Sequence, residues 1–143
     1  VSTTPDDDKK LREILEESKT IAVVGVKSDE SEDAYRVPLY MQEHGARIIP
    51  VNPKIDSILG EQAHPSLRNV KEPIDLVNLF RAPENIPDHV REILALDPLP
   101  KAVWMQLGIH HGKAAAALRA AGIDVVQDRC IMVDHRRLVG ESA

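Results

Sequence analysis

Five apolar runs in this chain each end on small, polar or cationic residues, and those tips hold the side chains with chemistry to offer. Residues 21–27 end on Gly25, Val26 and Lys27, with Ser28 next; residues 47–54 end on Asn52, Pro53 and Lys54. Residues 74–81 end on Phe80 and Arg81, just before Pro83; residues 102–108 end on Gln106 and Gly108; residues 125–130 end on Asp128, Arg129 and Cys130. Glycine lets backbone amides approach an anion, and lysine or arginine supplies the counter-charge. Gln106 interrupts an apolar run, where an unpaired buried amide is costly, so it needs a ligand or a loop partner. Lys27 and Arg36 suit either a ligand or open solvent, and Arg81 either a ligand or a pairing with Glu84 or Asp88. Asn78 reads as a structural hydrogen-bonding residue and Trp104 as core.

Cys130 invites a nucleophile reading, with Asp128, Asp134 and His135 nearby. A catalytic thiol needs a base within reach and a lowered pKa, and proximity in sequence supplies neither. A buried structural cysteine is the plainer expectation; a thiol that forms a mixed disulfide with a thiol ligand on oxidation is the sharper one. His110 and His111 are adjacent, which on a helix separates them by about 100°. The other histidines have no metal-ligand spacing, so no metal site is expected. There is no Gly-x-Ser-x-Gly elbow, no Walker loop and no close carboxylate pair. The sequence shows no catalytic constellation, and whether the chain is an enzyme stays open.

The elements needed to position such tips follow from the spacing. Buried runs bounded by turn chemistry fit strands of a parallel sheet covered on both faces. Asp6, Asp7 and Asp8 precede Leu11, Ile14 and Leu15, an acidic cap ahead of an apolar helix face. Further helices are expected around Val37, Leu39, Tyr40 and Met41, over a short stretch within 58–67, from Pro83 and Pro87 to about Leu96, and over 113–121. A helical tail is expected at 130–138. Strand and helix alternate, which predicts an α/β, three-layer, doubly wound domain with a five-stranded parallel sheet in the order 3-2-1-4-5. Its ligand would lie beyond the strand ends, at a switch point between the first and fourth strands.

The bulk numbers narrow the ligand. The 143 residues are expected to form one domain, residues 1–143, with a polar N-terminal segment at 1–10. A net charge of −5 and 3% aromatic residues argue against nucleic-acid binding. One cysteine excludes an internal disulfide and fits a reducing cytoplasm. No signal peptide and no membrane span are expected. The dinucleotide fingerprint is incomplete: Lys27 stands where a second glycine would be, and Asn52 replaces the acid that would hold a ribose hydroxyl. Asn52 followed by Lys54 tolerates a phosphorylated ribose, which disfavours NAD.

Gly25-Val26, residues 35–38, residues 50–54, residues 75–81, residues 104–108 and Asp128-Arg129-Cys130 together resemble the small bacterial and archaeal CoA-binding proteins. These are stand-alone Rossmann-like domains similar to the amino-terminal domain of the succinyl-CoA synthetase α subunit. The resemblance runs from about Leu11 to Leu138 and implies coenzyme A, or an acyl-CoA, as ligand. It implies that Gly25, Val26, Lys27 and Ser28 form the loop under the phosphates. Asn52, Pro53 and Lys54 would line the adenosine end, and Phe80, Arg81 and Pro83 would wall the groove. Gln106 and Gly108 would follow the pantetheine arm, with Arg129 and Cys130 near the reactive end or rim. Residues 29–33 depart from the family by carrying four carboxylates, unfavourable beside a polyanion unless they face solvent. The leading expectation is a non-catalytic or regulatory CoA-binding module whose protein partner, if any, is unknown. The alternatives are an acyl-CoA ligase or transferase fragment that needs a partner chain, and an NAD(P)-binding sensor.

Overall fold

Alternating strands and helices build the expected three layers, described here over residues 8–140 of a computed structural model. Helix α1 (Asp8–Glu17) buries Leu11, Ile14 and Leu15 along one stripe. Of the aspartates expected ahead of it, Asp6 and Asp7 lie outside the described residues. There follow β1 (Thr20–Val24), α2 (Asp33–Glu43), β2 (Arg47–Val51), the short strands β3 (Ser57–Ile58) and β4 (Glu61–Gln62), and β5 (Leu76–Leu79). The chain continues through α3 (Ile86–Leu94), β6 (Ala102–Met105), α4 (Gly112–Ala120), β7 (Asp124–Val126) and α5 (Ile131–Leu138). The long strands β1, β2, β5, β6 and β7 form one parallel sheet. On one face Val24, Ile49, Val77, Leu79 and Met105 pack with Ile86 and Ile93 of α3 and Leu118 of α4. On the other, Ile21, Val23, Ile48 and Trp104 pack with Leu11 of α1, Val37 of α2 and Ile131 of α5. Among the described residues, no helix is long and apolar enough to cross a membrane.

The strand order corrects one expectation. It runs β2-β1-β5-β6-β7, or 2-1-3-4-5 counting the long strands alone, not 3-2-1-4-5. Pro50 supplies a physical reason. Its carbonyl accepts from His64 N–H at 2.9 Å on the outer side of β2, so its missing N–H faces that same side. A further strand there would need that donor, and proline is confined to such edges. His64 straps the edge instead: its carbonyl accepts from Asn52 N–H at 2.9 Å, and it bridges Val51. The third long strand therefore docks on the open side of β1. Asp75 fixes it there by accepting the N–H groups of Lys19 and Thr20, each at 2.9 Å. The switch point accordingly lies between β1 and β5, not between β1 and the fourth strand.

The stretch expected to hold a short helix at 58–67 is the β3–β4 hairpin, followed by a single 3-10 turn at Leu67–Asn69. Leu59 (φ 57°) and Gly60 (φ 75°) take the two left-handed positions of a tight hairpin turn, which no helix accommodates. At the far edge of the sheet, Arg119 of α4 donates through Nη2 to the Val125 carbonyl of β7 at 3.0 Å.

Candidate functional site

The carboxyl tips of β1, β5 and β6 open onto a cleft of about 620 Å³. Lys27 lines it from the β1 loop, Glu32, Asp33 and Ala34 from the start of α2, and Phe80, Arg81 and Pro83 from beyond β5. Gln106 and Gly108 line it from beyond β6, and Cys130 from the start of α5. Gly25 brings the first two walls together. It has a φ of 91°, and a Cβ there would stand 2.4 Å from the Phe80 carbonyl oxygen, so only glycine lets the β1 tip lie against the β5 tip. Its own N–H is spent on the Val51 carbonyl at 3.0 Å.

Several sequence candidates are committed to the fold. Val26 is fully buried, and its carbonyl accepts from Asn52 Nδ2 at 2.7 Å. Asn52 Oδ1 accepts from Lys54 N–H at 2.8 Å, so this amide fastens the β1 loop to the β2 tip. Gln106, 4% exposed, accepts through Oε1 from Ile131 N–H at 3.0 Å and from Asn78 Nδ2 at 3.3 Å. Gly108 N–H donates to the Asp128 carboxylate at 2.7 Å. Arg129 grips the buried Asp134 through two bonds of 2.6 and 2.9 Å, and this carboxylate holds the guanidinium pKa above its ordinary value. Trp104 is fully buried and donates through Nε1 to the Arg129 carbonyl at 2.8 Å.

The half-buried thiol of Cys130 is free. The acid–base groups near it in sequence are engaged: Asp134 with Arg129 and Arg137, and His135 Nδ1 with the Tyr40 hydroxyl at 2.9 Å. The acidic stretch is exposed and paired locally. Asp29 accepts from Ser31 N–H and Oγ, which holds its carboxyl below the ordinary value; Glu32 lies 3.8 Å from Lys27, and Asp33 pairs with Arg36. Among the strand-tip cations this leaves Lys54 and Arg81 without an ion pair among the described residues. The first turn of α2 has no side-chain cap, so its N–H groups at the cleft are open to an anion.

The cleft thus gathers Lys27, Phe80, Arg81, Pro83, Gln106, Gly108 and Cys130. Gly25, Asn52, Pro53 and Arg81 line a separate cavity of about 150 Å³. Val26, Ser28, Arg36, Lys54 and Arg129 line neither. That smaller cavity also holds a pair the sequence reading passed over, His89 and Glu92 of α3. Their only sequence signal is an i, i+3 spacing, common on solvated helix faces. The arrangement suits retention of an extended anionic ligand.

Known proteins bear on this geometry. The uncharacterized protein YneT of Bacillus subtilis is 41% identical over 125 residues, covering 87% of this chain and 91% of its own length. The structure of cell-free ID.343 from Thermus thermophilus superposes with a TM-score of 0.87 at 47% identity, covering 92% of this chain and 98% of that one. A 58-residue segment is 31% identical to an ADP-forming acetate–CoA ligase of Methanocaldococcus jannaschii, which is 41% of this chain and 8% of the ligase. The CoA binding domain model matches residues 19–136, from the start of the sheet through most of the last helix. By its sequence and fold the chain belongs to the CoA-binding domain family.

Proposed function

We propose that the chain is a module that binds coenzyme A, or an acyl-CoA, across the tips of β1, β5 and β6 without acting on it. The observation that carries this reading is Arg81, a cation with no ion pair among the described residues, on the wall shared by the cleft and the smaller cavity, across the cleft from the uncapped start of α2. In this reading the diphosphate sits between Arg81, Lys27 and the α2 amides. The adenosine end runs toward Asn52 and Pro53, with Lys54 near the ribose phosphate. The pantetheine arm passes Gln106 and Gly108, and the thiol end approaches Cys130. Retention without turnover fits the engaged state of the groups near Cys130. A cytoplasmic setting fits the single free thiol.

Titration calorimetry with CoA, acetyl-CoA, NAD and NADP tests the proposal. Saturable heat with CoA and none with the dinucleotides is expected. Absence of both heat and thermal shift at millimolar CoA overturns it. The ligase segment similarity favours a second reading, in which the module works with a chain that supplies the acyl and nucleotide chemistry. Co-purification with such a chain supports it, and turnover by the isolated protein excludes it.

A further inference from the structure

Two walls of the strand-tip cleft differ in chemistry. The β1 loop and the start of α2 contribute Lys27, Ser31, Glu32 and Asp33, each ending in a charge or a hydroxyl. The β6 tip and the start of α5 contribute Leu107, Gly108, Ile109 and Cys130, which offer hydrocarbon and one thiol. Gln106 also lines this second wall, but it is buried and its carbonyl oxygen already serves Ile131 N–H and Asn78.

Leu107 is 69% exposed, more than any other large apolar side chain among the described residues. An isolated surface leucine calls for no account, but this one lines the same cleft as Phe80, Pro83 and Ile109. Its place is also fixed by the backbone. Ile109 N–H donates to the Gln106 carbonyl at 2.9 Å and closes a turn with Leu107 at its first corner and Gly108, φ 86°, at its second. Asp128 clasps that turn: its carboxylate accepts from Gly108 N–H at 2.7 Å, and its own N–H donates to the Ile109 carbonyl at 3.0 Å.

Coenzyme A has apolar surface of its own in the adenine ring and in the geminal methyls of the pantoyl group. With the diphosphate between Lys27, Arg81 and α2, the adenine runs the other way, toward Asn52 and Pro53. The geminal methyls stay beside the phosphate that precedes them. The group left to meet the β6–α5 wall is whatever the thiol carries. We infer that the turn at 106–109 is the acyl-facing wall of the cleft: Leu107 covers an unbranched, uncharged acyl chain, so the favoured ligand is the CoA thioester of a short aliphatic acid. A carboxylated acyl group would set a charge against hydrocarbon and gain nothing from this wall. The inference rests on the coenzyme A reading and deepens it by naming the acyl class.

Calorimetric titration with CoA and its acetyl, butyryl, hexanoyl and succinyl thioesters tests it, on the wild-type chain and on Leu107→Ser. The exposed turn corner accommodates serine, and a thermal melt confirms folding. Complete burial of a methylene is worth about fourfold in affinity, and a chain covered on one side gains about half that free energy, roughly twofold per methylene. Hexanoyl-CoA is therefore expected to bind about fifteenfold more tightly than acetyl-CoA, while succinyl-CoA stays within about twofold of acetyl-CoA. Leu107→Ser should reduce the hexanoyl-to-acetyl ratio below about fourfold and leave free CoA unchanged. A flat wild-type series overturns the inference, as does a series that Leu107→Ser leaves intact or a succinyl thioester that binds like the hexanoyl one. Equal losses for free CoA and hexanoyl-CoA in Leu107→Ser overturn it too, because they put the geminal methyls or the adenine on this leucine. In all of these cases CoA still binds and the CoA reading stands. If no ligand of the series binds, that reading falls and takes this one with it.

Discussion

The two ends of the strand-tip row use similar residues for opposite purposes. At the β6–β7 end, Gln106, Asp128 and Arg129 all hold other parts of the chain: Ile131 N–H, Gly108 N–H and Asp134. At the other end, over the tips of β2, β1 and β5, Lys54 and Arg81 carry charge with no carboxylate partner among the described residues. Asn52 crosses the divide, since its amide ties two loops together although it stands on the second side. A polar residue at a strand tip is therefore a ligand candidate only if the fold has not already used it.

Substitutions can break this contrast or sharpen it. Gly25→Ala, which drives a Cβ into the Phe80 carbonyl from a left-handed backbone, is expected to cost about 3 kcal/mol in urea unfolding and to abolish CoA binding. Gln106→Ala strands the Ile131 N–H and leaves the Asn78 amide with the Trp104 carbonyl as its one acceptor; a loss of about 2 kcal/mol is expected in the same assay. Arg129→Ala and Arg81→Ala make the sharpest pair. The first leaves the buried Asp134 with Arg137 alone and lowers stability by about 1–2 kcal/mol, reduced from the fully buried case because Arg129 is partly exposed. Calorimetry should find its CoA affinity little changed. Arg81→Ala should leave the unfolding midpoint in place and weaken CoA by about tenfold. If the two variants exchange phenotypes, the division between the ends of the row is wrong.

The smallest effect concerns acid. Arg47 grips Glu72 through two bonds of 2.7 Å and holds its carboxyl below the ordinary 4.5. A carboxyl lowered in the folded state adds stability above its unfolded value and loses it as pH falls through the folded one. Below pH 4.5 the wild-type unfolding midpoint should fall more steeply than that of Glu72→Gln. At neutral pH this exposed pair is worth only about 0.5 kcal/mol.

Much of the architecture was legible because buried parallel strands read as continuous apolar runs, and all five long strands lie where those runs are. Their order was less accessible. It depends on which side of β2 can pair, and Pro50 decides that only once its missing N–H is seen to face outward. The β3–β4 hairpin escaped because Leu59 does not advertise a left-handed turn as Asn or Gly would. In the site, the need of Gln106 for a partner was readable, but the partner lies 25 residues away in sequence on α5.

The treatment of the sheet margins bears on how copies of this chain can meet. At β2 the proline and the His64 strap remove the row of free donors and acceptors that another strand would template on. At β7 the Arg119 guanidinium occupies the Val125 carbonyl, an outward acceptor of a three-residue strand. Strand-to-strand recruitment, the usual route from an open parallel sheet to fibrillar association, is thus obstructed at both margins.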